Sequence, residues 1–287
     1  MSYLTSILAA TDTTPGGRHA VRVAARLAAA KDAALTVMTV LPASDVNAGA
    51  ARSFQRSLRP DRADAAPLRA LRDWLQEGGP QELPGGAELL VGFGIPGIEI
   101  SRLARRQSAD LIVIGRRPRG PHHRLQLGET ADGLVRRSDV PILFVPPHVE
   151  RFRTILIALD GSTRTHHVLE LGLPVSRALG AEDVRAVTVE PVLPDESATA
   201  VQPTERSRSL ERTLNRHSDV AVASRPIALA VRRGSVVEEI LAEAEGSEAD
   251  LLVIGYRRGG PPKFVEPTEI ARNLLYSAPS AVLTVPL

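Results

Sequence analysis

The chain of 287 residues contains no cysteine. That excludes a disulfide framework, a thiolate metal site and a cysteine nucleophile, and it fits an expected cytoplasmic location. Aromatic residues make up only 3%, which argues against stacking platforms for single-stranded nucleic acid. Lysine is almost missing: Lys31 and Lys263 are the only two, so 33 of the 35 basic residues are arginine. The 33 acids nearly balance them and leave a net charge of +2. Nucleic acid needs a clustered basic face rather than a high overall arginine content, so no nucleic-acid partner is expected. No uncharged apolar run reaches the length of about eighteen residues that a membrane-spanning helix needs, and no membrane partner is expected. The opening Met1-Ser2-Tyr3-Leu4-Thr5-Ser6-Ile7 lacks a basic leader region and reads as the first strand of a domain. Two enzyme signatures are also missing: a Gly-x-Ser-x-Gly nucleophile elbow and a Walker A lysine motif.

What the chain does have is a repeat. Ala109-Asp110-Leu111-Ile112-Val113-Ile114-Gly115 returns 140 residues later as Ala249-Asp250-Leu251-Leu252-Val253-Ile254-Gly255. Gly94 and Gly234 share that offset, as do Pro146 and Pro286. Upstream, Ile7-Leu8-Ala9-Ala10-Thr11-Asp12 answers to Ile155-Leu156-Ile157-Ala158-Leu159-Asp160 at an offset of 148. The expected domains are therefore 1–146 and 153–287, with a short proline-bearing linker at 147–152.

Each copy alternates strand and helix. In the first, strands are expected at 5–10, 35–41, 87–91, 111–114 and 142–145. Helices are expected at 18–30, 61–77, from Pro96 onward, and at 129–137, with an irregular excursion over 42–60. In the second of these helices Leu68, Leu71 and Leu75 share one face. This alternation predicts α/β domains, each with a parallel sheet covered by helices on both faces. Ligands of such doubly wound sheets bind beyond the carboxyl ends of the strands, where the strand order reverses.

Several of these segments together resemble the universal stress protein family, over nearly the whole chain and twice. They are a first strand ending in Asp (Asp12, Asp160), Gly94-Ile95-Pro96 and Gly234-Ser235 opening the third helix, and the Ala-Asp-Leu-Ile-Val-Ile-Gly strand. Val140-Pro141-Ile142-Leu143-Phe144-Val145-Pro146 is the fourth. The resemblance implies two five-stranded sheets of order 3-2-1-4-5. It also implies that the second half of the chain is the first half's partner, through pairing of the fifth strands. A larger homo-oligomer is left open.

One branch of the family binds ATP through Gly-x-x-Gly, nine residues, then Gly-Ser or Gly-Thr. Here the first copy has Gly115 and Gly128, but Pro118 replaces the second glycine and Glu129 takes the hydroxyl position, with Thr130 next to it. The second copy keeps Gly255 but has Arg258, Thr268 and Glu269 at the other places. A carboxylate thus stands where phosphate is expected, and Pro118 removes an amide donor. Two like charges brought together and desolvated cost several kcal/mol. The glutamates also have an ordinary reading as acids in a helix first turn, with Thr268 as N-cap.

The opposing signal is basic: Arg116, Arg117, Arg119 and Arg124 in the first loop, and Arg257, Arg258 and Lys263 in the second. The arginine forks could hold phosphate, or the loops are solvated, or the arginines pair internally with Glu129 and Glu269. The resemblance puts Asp12 and Asp160 near adenosine and Val40 and Val189 near adenine. The acids read equally as turn-stabilising residues, and the valines as core. His122-His123 and His166-His167 lack a third ligand for a metal. No cofactor is assigned; ATP is the one to test. The functions in view are a non-catalytic stress-response protein with a degraded ATP motif, or a nucleotide sensor using the arginine-rich loops with slow hydrolysis. A true enzyme of a related fold is the third.

Overall fold

The computed structural model describes residues 4–41, 66–77, 83–84, 86–116, 128–190, 204–217, 226–256 and 267–287. The expected excursion over 42–60 lies outside the described residues. So do residues 61–65 and most of the two arginine-rich loops. The chain divides into two compact units, with the change between His148 and Val149.

The first unit contains β1 (Ser6–Thr11), α1 (Pro15–Lys31), β2 (Ala34–Leu41), α2 (Ala66–Gln76), β3 (Glu88–Phe93), α3 (Pro96–Arg106), β4 (Leu111–Gly115), α4 (Glu129–Arg137) and β5 (Ile142–Val145). Its strand order is β3-β2-β1-β4-β5, and each pair is parallel. The second unit contains β6 (Thr154–Ala158), α5 (Thr165–Ala178), β7 (Asp183–Glu190), α6 (Glu205–Arg216), β8 (Ala228–Arg233), α7 (Val236–Gly246), β9 (Leu251–Tyr256), α8 (Pro267–Ser277) and β10 (Ala281–Pro286). Its order is β8-β7-β6-β9-β10, again parallel throughout. Right-handed crossovers place the first two helices of each unit on one face and the last two on the other. Leu111, Ile112 and Val113 on β4 and Leu251, Leu252 and Val253 on β9 have no exposed surface, as strands covered on both faces require.

Helix α1 starts three residues before the expected 18–30. Thr14 is its N-cap, accepting from Gly17 N at 3.3 Å, and Pro15 takes the first helical position. Gly17 lies against the Thr11 side chain with no room for a Cβ. Gly17 therefore permits close packing on β1, and the Gly16-Gly17 pair does not break the helix. In the other direction, Thr268 is the second residue of α8 and not its N-cap.

The repeated aspartate fixes the opposite end of each sheet. Asp110 Oδ2 accepts from Thr5 N (2.7 Å), Thr5 Oγ1 (2.8 Å) and Ser6 N (3.0 Å). Asp250 Oδ2 accepts from Arg153 N (2.6 Å) and Thr154 N (3.0 Å). Each carboxylate ties the start of the fourth strand to the start of the first. Asp110→Ala is expected to cost about 2–3 kcal/mol, because charge-assisted bonds to backbone donors are lost together. Chemical denaturation of the purified variant measures it, and a loss under about 0.5 kcal/mol, the size of an ordinary surface change, would remove this role.

Candidate functional site

The carboxyl ends of β1, β2 and β4 meet where the strand order of the first unit reverses. Asp12, directly after β1, accepts through Oδ1 from Thr14 N (3.1 Å) and Thr14 Oγ1 (2.5 Å). It thus organises the turn into α1. Thr13 between them has φ 58°, a left-handed conformation that is unfavourable for a β-branched residue. In the second unit Asp160 Oδ1 accepts from Ser162 N (2.9 Å) and, weakly, from Thr165 Oγ1 (3.5 Å). There the left-handed position is held by Gly161, at φ 67°.

The glycines ending β4 and β9 sit in close quarters. A Cβ on Gly115 would come within 2.7 Å of Gly16 O and 3.0 Å of Gly17 N, both backbone atoms of α1. The next amide, Arg116 N, donates to Val145 O at 2.8 Å. A Cβ on Gly255 would meet side-chain tips instead: Leu287 Cδ1 at 2.8 Å and Val168 Cγ2 at 3.0 Å. Tyr256, beside it, is fully buried where the first unit has half-buried Arg116.

Gly128 is the N-cap of α4, with φ −55° and no atom within 4 Å of where a Cβ would be. Neither its conformation nor its neighbours require glycine. Glu129 and Glu269 are exposed acids in the first turns of α4 and α8. Among the described residues the Glu129 side chain makes no hydrogen bond. Its favourable place is the helix end itself. Half-buried Thr130 turns its carbonyl toward α3, 3.2 Å from a Cβ on Gly97, which would also meet Gly133 Cα at 3.2 Å. This glycine-to-glycine crossing lets α3 and α4 approach closely. The second unit has Val237 and Asn273 at the matching positions. The structure therefore brings Asp12, Gly115, Arg116 and the start of α1 together. Pro118, Arg117, Arg119, His122, His123, Arg124, Arg257, Arg258 and Lys263 lie outside the described residues.

The two units part company at the ends of their second and third strands. Val40 pairs with Gly92 and Leu41 with Phe93 on β2 and β3. Val40 is half-buried and Phe93 buried. In the second unit Val189, 5% exposed, pairs with Arg232, and Glu190 pairs with Arg233. The Glu190 side chain is only 7% exposed and lies 3.7 Å from Arg233 Nε. Thr204, the N-cap of α6, donates its hydroxyl to Glu190 Oε1. Arg206 lies across Gly161, with Cγ and Nε 2.7 Å from where a Cβ would be. None of Glu190, Thr204, Arg206 or Arg233 drew notice in the sequence. Extending the repeat to the strand ends reveals the first and last, since they replace Leu41 and Phe93.

Burial pushes the Tyr256 hydroxyl up to about 12. Below pH 10 the group is neutral in folded and unfolded chain alike. Between about 10 and 12 only the unfolded chain ionises, so stability falls by about 1.4 kcal/mol per pH unit over that window. Ultraviolet titration should show one of the three tyrosines ionising late, and Tyr256→Phe should abolish that late phase. A variant that keeps it would assign the phase elsewhere.

Among the described residues no three His, Asp or Glu side chains are grouped as metal ligands. Among the same residues no helix is long and apolar enough to cross a membrane.

The sequence model of the universal stress protein family matches residues 4–146 and again 151–286. The chain belongs to that family. It is a tandem member, with two complete repeats. A solved universal stress protein from Archaeoglobus fulgidus DSM 4304 covers 100% of this chain over 99% of its own, at 16% identity and a TM-score of 0.69. A functionally unknown protein from Pseudomonas aeruginosa PAO1 covers 99% over 92% of its own length, at 15% identity and a TM-score of 0.64. At these identities the likeness is one of fold. No curated protein matches the sequence.

Proposed function

We propose that this universal stress protein is a non-catalytic stress-response protein of the cytoplasm whose two nucleotide positions do not hold ATP. The observation that carries this reading is the crowding at the retained glycines. Gly115 backs onto the α1 backbone, and Gly255 lies under Leu287 and Val168. Each glycine serves the packing of its own unit. Arg116 N is committed to Val145 O, so an amide that could turn to phosphate is engaged. The exposed carboxylates of Glu129 and Glu269 stand at the helix starts where an anion would have to approach.

In this reading the domains are 1–146 and 153–287, joined by 147–152, each with five parallel strands in the order 3-2-1-4-5.

Acid extraction of freshly purified protein, followed by chromatography of the supernatant, tests the proposal. No adenine nucleotide is expected above the level of a buffer control. Recovery near one per chain would contradict it and favour the nucleotide-sensor reading, with the arginine-rich loops holding phosphate.

A further inference from the structure

We propose that Arg206, in the second unit, holds a small oxyanion, the carboxylate or phosphate group of a metabolite, beside the turn that follows β6. Arg206 is half-buried in the first turn of α6, and its Nε–H is wholly buried with no acceptor. Among the described residues its guanidinium group makes no hydrogen bond and no ion pair. Buried N–H groups are rarely left without a partner, and each case calls for an explanation. The location adds to the cost, because a cation at the start of a helix meets the positive end of its dipole. Among the described residues two other arginines, Arg18 and Arg272, have a buried Nε without an acceptor. Both are answered by other means. Arg18 lies over the Trp74 ring and donates through Nη2 to Trp74 O. Arg272 lies 5.9 Å from the centre of the Tyr276 ring. Arg206 has no such contact.

The acids of this region are engaged elsewhere. Glu205, the neighbour in sequence, pairs with Arg212. Glu190 accepts from Thr204 and faces Arg233 at 3.7 Å. Asp160 Oδ1 accepts from Ser162 N at 2.9 Å. Each carboxylate has its partner within the second unit, and in no case is that partner Arg206. The charge left over is a cation, so its complement has to come from outside.

The seat of Arg206 depends on Gly161. Cγ and Nε lie 2.7 Å from where a Gly161 Cβ would be, so any larger residue would push the arginine away. The first repeat has Thr13 at the matching position, and its side chain would fill that space. Gly161 is exposed, so solutes reach the turn. The start of α5, next along the chain, has no acid in its first turn and no side-chain cap, so no carboxylate there competes with an incoming anion. A guanidinium fork gives two parallel bonds to one carboxylate or phosphate group. One such fork suits a small anion and is too little for nucleic acid, whose binding rests on many phosphate contacts. Helix α6 carries no part of the glycine motif, so an anion here is compatible with the absence of ATP.

Proton–nitrogen correlation spectra of the full chain test this directly. The Arg206 Nε–H signal is identified by its loss in Arg206→Lys. The wild-type protein is titrated with inorganic phosphate in one arm and acetate in the other, with ionic strength held constant by sodium chloride. A saturable shift of that signal is expected in at least one arm. Phosphate alone would assign a phosphate group, and acetate alone a carboxylate. The same anion should raise the midpoint of thermal unfolding. Arg206→Lys should weaken its binding at least about 10-fold, because lysine keeps the charge and loses the fork. No saturable shift in either arm would overturn the proposal. So would equal stabilisation of the wild type and Arg206→Lys, or a response that sodium chloride alone reproduces.

Discussion

Gly115→Ala is expected to unfold the first unit well before the second, at a cost of about 3 kcal/mol. The added Cβ would stand 2.7–2.8 Å from the Gly16 carbonyl group. Backbone at that point cannot yield without moving the start of α1 away from β4. Overpacking of this kind belongs to the costly class of substitutions. Gly255→Ala makes the control. Its nearest neighbours are the tips of Leu287 and Val168, which can turn aside, so about 1 kcal/mol is expected. Guanidinium denaturation, with hydrogen exchange to assign each transition to a unit, separates the two. Equal costs would show that the Gly115 contact with α1 is not what holds that glycine in place.

The second large effect concerns the pair on β7 and β8, in which Glu190 is buried and Arg233 half-buried. Arg233→Leu should cost about 3 kcal/mol or more, because it leaves the Glu190 carboxylate inside without its cation. The Thr204 hydroxyl remains as a partner, but a neutral donor does not replace a charge. Changing both members to the first unit's residues, Glu190→Leu with Arg233→Phe, should recover most of the loss, since an apolar pair of suitable volume needs no desolvation of charge. A double-mutant cycle by denaturation gives the coupling directly. Additive losses in the double variant would mean that the two residues do not act as a pair.

These effects mark where the sequence could be read and where it could not. The repeat, the alternation of strand and helix, and the elements 129–137 and 142–145 follow from periodicity and breaker residues, and the structure places α4 and β5 at those bounds. Leu71 and Leu75 are buried as their spacing requires, while Leu68, nearer the start of α2, is half-buried. The observed start of α1 at Pro15 precedes the expected Arg18, since Gly16-Gly17 has low helix propensity. Local propensity was overruled by the Thr14-Pro15 cap and by packing that only glycine allows. The site was less legible. A motif match treats Gly115 and Gly255 as the same signal, yet one meets backbone and the other meets side chains, a difference set by α1 and α5 far away in sequence. The Arg206 contact with Gly161 likewise joins residues 45 positions apart. The Glu190–Arg233 pair had a readable trace, a charge at each strand end where the first repeat is apolar. The two strands had only to be laid over their first-copy counterparts.

The most direct test is calorimetric titration with ATP and Mg²⁺ at moderate salt, on the wild-type chain and on Pro118→Gly/Glu129→Ser. The first unit is the place to attempt restoration, because Gly128 is present there and the space beside it is open. The wild type should show no binding in the micromolar range. The double variant should gain affinity by about 10-fold or more, since one amide donor returns and one repelling carboxylate leaves. Micromolar binding by the wild-type chain, in either unit, would contradict the account.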